Sequence, residues 1–118
     1  MGQKGVTIYH NPRCGMSRKT LALLRAKGIE PKIIEYLKTP PSPKELEEII
    51  RLLGIEPRDL LRKKEKEYAA LKLDDPSKSP KVLIDAMVVH PILIERPIVV
   101  ANGRAVLGRP PENVERIL

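Results

Sequence analysis

The stretch GVTIYHNPRCGMSRKTLALLRAKGIEPKIIEYL, Gly5 to Leu37, changes its hydrophobic period twice. GVTIYH, Gly5 to His10, is short, β-branched and alternating, which predicts a strand. SRKTLALLRAKG follows with helix formers, and Leu21, Ala22 and Leu24 are expected on its apolar face. Gly28 suits the position just past a helix end, where the backbone turns left-handed. PKIIEYL, Pro31 to Leu37, reads as a second strand. Strand, helix and strand at this spacing form a βαβ unit, so the two strands should run parallel.

Beyond this unit the chain turns helical. In TPPSPKELEEIIRLLG, Ser42 is a helix cap, Pro43 suits the first helical position, and Glu45 completes a capping box. Leu46, Ile49, Ile50 and Leu53 give an apolar stripe that ends at Gly54. EPRDLLRKK and KEYAALKL read as short helices, and the mixed charges of RKKEKE, Arg62 to Glu67, as a solvated helical face. SPKVLIDAMVVHP is another capped helix, with Val82, Leu83, Ala86 and Val89 expected to face inward and His90 closing it. These helices form an insertion over about 42–91. The period then returns to that of a strand. RPIVVANGRAVLG holds two strands around Asn102-Gly103, a strong hairpin signal, and PPENVERIL ends the chain as a short helix. The expected fold is α/β: a four-stranded mixed sheet in a single domain, 1–118, with βαβ and ββα halves. This is the plan of the thioredoxin fold.

Composition narrows the function. The 118 residues suit one domain, and 42% hydrophobic with 31% charged residues suits a globular protein. No apolar run approaches the ~18 residues that a membrane span needs. The start, MGQKGVTIYH, lacks a signal peptide's apolar stretch, so the cytoplasm is the expected compartment. Myristoylation at Gly2 is disfavoured because Val6 stands where that motif carries Ser or Thr. The net charge of +7 fits an anionic partner. Without Phe or Trp, and with three Tyr, the chain has few platforms for stacking nucleic-acid bases. A small anionic substrate is therefore favoured over nucleic acid. No nucleotide-binding glycine motif is present, and neither a metal nor any bound cofactor is expected. A monomer is expected, since no predicted helix is apolar all round.

The single cysteine is the chemical focus. Cys14 cannot form an internal disulfide or a cysteine-rich zinc site, so any redox chemistry needs an outside thiol. It lies where the first strand gives way to the first helix. Free amides and the positive end of the helix dipole favour thiolate there, and the thiol pKa of about 8.5 can fall below 7. Arg13 and Arg18 flank it. Ser17 occupies the second position of a C-x-x-S sequence, where its hydroxyl can donate to the thiolate but cannot form a disulfide. The helix start, from Gly15 onward, would also bind a tetrahedral oxyanion through its amides.

IYHNPRCGMSRKTL, LLRKKEKEY and HPILIERPIVVANGRAVLGRPPE resemble, in order, three segments of the glutaredoxin-dependent arsenate reductase family (ArsC type). The resemblance runs from Val6 to Leu118. It implies that Cys14 attacks arsenate and that Arg62, Arg96 and Arg109 hold the oxyanion, as forked guanidinium groups can. His10 matches a histidine near the cysteine which, if protonated, would stabilise the thiolate. Arg13, Gly15, Ser17, Arg18 and Pro97 are the expected substrate-binding residues. Pro97 matches the cis-proline that faces the cysteine in thioredoxin-like folds. Asn11 and Pro12 are read as shaping the loop, and Arg58 and Arg104 as surface arginines. Glutathione would be the co-substrate and a glutaredoxin the partner. Two other functions share this scaffold: a different glutathione-dependent thiol oxidoreductase, and a Spx-type transcription regulator that binds RNA polymerase. Regulators of that type commonly carry a C-x-x-C redox switch, which Ser17 removes here.

Overall fold

The computed structural model describes residues 5–118. Gly2 lies outside the described residues. The chain forms two compact units: one joins the chain up to Thr39 with Arg96–Leu118, and the other is Pro40–Glu95.

The first unit carries the sheet. Its elements are β1 (Thr7–His10), α1 (Gly15–Ala26), β2 (Lys32–Glu35), β3 (Ile98–Ala101) and β4 (Arg104–Leu107), closed by a 3-10 helix at Pro111–Arg116. The strand order is β2-β1-β3-β4. β1 pairs parallel with β2, placing Ile8 opposite Ile33 and His10 opposite Glu35, and antiparallel with β3. β3 and β4 pair antiparallel across the Asn102-Gly103 turn. Both turn residues have positive φ, 55° and 71°, as a tight hairpin turn whose twist matches its strands requires. This mixed sheet of βαβ and ββα halves is the thioredoxin-like fold.

The core of this unit follows from side-chain period. Ile8, Val99 and Ala101 from the two central strands meet Leu21 and Leu24 of α1, with Val114 and Ile117 from the chain end. Burying a Leu or Ile in this way stabilises by about 1.5–3 kcal/mol. On α1 the buried positions are Ser17, Thr20, Leu21 and Leu24, spaced as one helical face. Ala22 is exposed, contrary to expectation, because it lies about 100° of helical rotation away from Leu21.

The second unit holds α2 (Pro43–Leu53), a 3-10 helix at Pro57–Leu60, α3 (Lys66–Ala70), α4 (Pro80–Val89) and a 3-10 helix at Pro91–Leu93. Ser42 and Glu45 make the expected reciprocal capping box, and Gly54 ends α2 in the left-handed conformation. Two expectations are corrected here. Arg62–Glu65 forms a turn, and of RKKEKE only Lys66 and Glu67 are helical. The antiparallel bridge of Leu61 with Ile94 fixes the backbone there as extended. On α4 the buried residues are Leu83, Ile84 and Met87, whereas Val82 and Val89 are 45% and 70% exposed. That helix is apolar on most of its circumference, so packing against α2 and the short helices selects the inward face. Arg58 is half-buried, and its guanidinium braces the carbonyls of Leu73 and Asp75 at 2.6 and 3.1 Å. Among the described residues no helix is long and apolar enough to cross a membrane.

Candidate active site

Cys14 is the N-cap residue of α1, with extended backbone at φ −94° and ψ 121°. Asn11 builds the approach: its carbonyl accepts from the Cys14 N–H at 3.0 Å and its Oδ1 from the Arg13 N–H at 3.0 Å. The Cys14 carbonyl accepts the first helical bond, from Arg18 N–H. The amides of Gly15, Met16 and Ser17 then lie at the helix start, where the ladder leaves amides without partners. The first turn holds no acidic residue to compete with an anion.

The sulfur is buried, and burial pushes its pKa up more than any other single influence. The Ser17 amide, the Arg96 guanidinium and the Met16 amide act against burial and together outweigh it. The thiol therefore lies below its ordinary value. Neither amide makes a regular capping hydrogen bond to the side chain, so proximity of charge and dipole carries the effect.

Four expected contributors act otherwise. The Ser17 hydroxyl, fully buried, turns from the cysteine to meet His10 Nδ1 at 2.6 Å and accept from Asn11 N–H at 3.0 Å. Its contribution to the thiolate is the backbone amide. His10 is buried, and burial lowers its pKa, with Glu35 opposing and Arg25 and Arg18 assisting. A neutral ring supplies no positive charge to the sulfur. Either the Ser17 O–H or the Nδ1–H donates in this bond, according to the ring tautomer. Arg18 donates to the Pro12 carbonyl at 3.0 Å and lies over Gly15, and Arg13 is exposed; neither is among the influences on the thiol.

The cation that acts on the sulfur is Arg96, whose guanidinium helps to hold the Cys14 thiol below its ordinary value. Its Nε is buried and has no partner among the described residues. The Arg96–Pro97 bond is cis, as expected, and so is Arg109–Pro110. Arg109 Nη1 donates to the Arg96 carbonyl at 3.2 Å, which sets the Arg109 guanidinium beside the Arg96 backbone. The first unit thus brings together Cys14, Gly15, Ser17, His10, Arg18, Arg96, Pro97 and Arg109. Arg62 belongs to the second unit, where it pairs with Glu65 at 2.7 Å and Glu95 at 3.8 Å. Among the described residues no three His, Cys, Asp or Glu side chains gather to hold a metal ion.

The sequence reading missed two supports of this arrangement. Thr20 donates from the buried face of α1 towards Gly108, and Gly108 N–H donates to the Pro97 carbonyl. A threonine inside an apolar helical stripe was the only local signal for the first, and a glycine just before Arg109 for the second.

This fold and site define a thioredoxin-like protein with one activated cysteine at a helix N-terminus, beside an arginine. The ArsC family pattern matches residues 9–117, and the chain belongs to that family. An arsenate reductase of Rhizobium meliloti (strain 1021) is 55% identical over 113 residues, covering 96% of this chain and 81% of the relative. The uncharacterized protein YfgD of Escherichia coli (strain K12) is 52% identical over 116 residues, covering 98% of each chain. The solved structure of an arsenate reductase from Vibrio cholerae superposes with a TM-score of 0.96 at 52% identity. It covers 99% of this chain and 100% of that one.

Proposed function

We propose that this protein is an arsenate reductase that uses Cys14 as nucleophile and external thiols as reductant. The observation that carries the reading is the lowered Cys14 thiol beside Arg96, in a chain about half identical to arsenate reductases. Arsenate is a tetrahedral oxyanion, and amides at a helix start with guanidinium groups nearby are its natural ligands. In this reading Arg96, with its unpartnered Nε, holds one face of the anion and Arg109 holds another oxygen. The family resemblance alone proposes Arg62 as a third ligand. Arg13, Gly15, Ser17, Arg18 and Pro97 form the wall around it.

The Cys14 thiolate attacks arsenic. A sulfur–arsenic bond forms, one arsenic–oxygen bond breaks, and that oxygen leaves as water after taking up protons. Arsenic is still pentavalent in this adduct. Two outside thiols then become a disulfide and supply two electrons, reducing arsenic to the trivalent state. Water hydrolyses the remaining sulfur–arsenic bond, arsenite leaves, and Cys14 is restored. The chain has no second cysteine for this step, which supports glutathione as one thiol and a glutaredoxin as its partner. No bound cofactor takes part. The protein works as a monomer in the cytoplasm, where such thiols are kept reduced.

The test is arsenate-dependent NADPH consumption with glutathione, glutathione reductase and a glutaredoxin, for wild type and Cys14→Ser. Turnover that needs arsenate and glutathione and disappears in the variant is expected. A thiolate that reacts fast with an alkylating reagent at neutral pH, without arsenate turnover, would leave the nucleophile and reject the substrate.

A further inference from the structure

Thr20 is fully buried, in the second turn of α1. Its Oγ1 lies 2.9 Å from the Met16 carbonyl and 3.0 Å from the carbonyl of Gly108, 88 residues away in the sequence. The two carbonyls share the one hydroxyl proton: the contact with Met16 is local, whereas the contact with Gly108 ties the cysteine-bearing helix to the segment leaving β4. That segment is held tightly. Gly108 N–H donates to the Pro97 carbonyl at 2.9 Å. A Cβ at Gly108 would stand 2.7 Å from Thr20 Oγ1, 2.8 Å from Thr20 Cγ2 and 2.9 Å from Pro97 Cγ. No side chain fits there, so helix, Gly108 and Pro97 are in direct contact. The next residue, Arg109, reaches back to the Arg96 carbonyl. Arg96 and Arg109 are therefore both borne by backbone that the Thr20–Gly108 contact fixes against α1.

We infer that Thr20 is a positioning residue for the cysteine site, its hydroxyl holding the Arg96–Pro97 and Gly108–Arg109 segments against the helix that carries Cys14. A buried valine would fill the same volume and suits a helix about equally well. What the hydroxyl adds is a proton that a distant carbonyl shares with the local one. Without that proton the Gly108 carbonyl loses a buried partner, and the segment is free to withdraw with its arginines. The inference deepens the reading of Cys14 as the reacting group and rests on it.

The test is the pH dependence of Cys14 alkylation by iodoacetamide in folded wild type, Thr20→Val and Thr20→Ser. This readout needs no arsenate. The wild-type midpoint is expected below the ordinary cysteine value of about 8.5. Thr20→Val should move the midpoint upward and slow alkylation at pH 7 about threefold or more, the slowing that an upward shift of this kind implies. Thr20→Ser, which keeps the hydroxyl and loses the methyl, should remain near wild type. A folded Thr20→Val protein with the wild-type profile would overturn the proposal. If Thr20→Val does not fold, Thr20→Ser decides alone, since a shifted profile there would assign the effect to packing by the methyl. Ordinary cysteine behaviour in the wild type would reject the reading of Cys14 itself, before any variant is compared.

Discussion

His10 Nδ1 and Ser17 Oγ lie 2.6 Å apart, both residues buried, and the Ser17 amide one bond away from that side chain's Cα faces the Cys14 sulfur. The pair links the end of β1 to the first turn of α1. Its chemistry at the thiolate is indirect: the side chains fix a backbone amide, and the amide acts.

Ser17→Ala should therefore be costly to the fold and mild at the sulfur. It leaves the His10 ring nitrogen and the Asn11 N–H without their shared partner, at a cost of about 1–3 kcal/mol. Chemical denaturation measures that loss. Alkylation of the folded variant at pH 7 should stay within a few-fold of wild type, because the amide remains. A collapse of reactivity in a stable Ser17→Ala protein would mean that the hydroxyl does reach the sulfur.

Arg96 gives the opposite pattern. Arg96→Gln removes the cation that favours the Cys14 thiolate, so the thiol pKa rises and neutral-pH alkylation falls, by about three- to tenfold. The same lowered thiol has a stability consequence. The folded state favours thiolate, so Cys14 contributes fully above the unfolded thiol's value of about 8.5. The contribution is lost as pH falls through the lower folded value. The stability difference between wild type and Cys14→Ser should therefore grow as pH rises through that window. A constant difference from pH 6 to 9 would contradict a depressed thiol.

The buried imidazole predicts acid sensitivity. Burial lowers the His10 pKa, so below about 6.5 the unfolded chain takes up a proton that the folded chain refuses. Stability therefore drops as pH falls from 6.5 toward the folded value, and this contribution levels off beneath it. Replacing the ring by His10→Gln should flatten that part of the stability profile. Equal slopes between pH 7 and 5 for the two proteins would show that His10 takes up its proton as readily in the fold as in the unfolded chain.

Arg62 is compensated before any substrate arrives, by Glu65 at 2.7 Å and Glu95 at 3.8 Å. In the proposed role it must release Glu65 to hold an arsenate oxygen. Glu65→Gln should weaken that competitor and lower the arsenate KM about two- to fivefold, the scale of a partly screened ion pair. The turnover number should hardly change. An unchanged KM, in an enzyme that Arg62→Lys also leaves unchanged, would remove Arg62 from the oxyanion site.

Local signals carried the sequence reading a long way. The strand of Thr7–His10, the Ser42 capping box, the Asn102-Gly103 hairpin and the glycine stops at Gly28 and Gly54 each depend on a few adjacent residues, and each formed as expected. Cys14 at a helix start was equally legible, because strand, loop and helix are consecutive there. The face of α4 was not, since Val82, Leu83, Ile84, Met87 and Val89 are all apolar and only the neighbours choose among them.

The sequence by itself thus determined the order of elements, the parallel and hairpin strand pairs and the position of Cys14 at a helix start, because period, caps and turn chemistry act over a few residues. Only the tertiary structure decided which charges serve that cysteine. Arg13 and Arg18 are its neighbours in sequence, yet Arg18 is engaged by the Pro12 carbonyl and Arg13 is exposed. Arg96, far along the chain, supplies the cation, because β3 pairs beside β1 and Thr20 meets Gly108 across 88 residues. Charge acts through distance in space, and that distance is set by long-range packing.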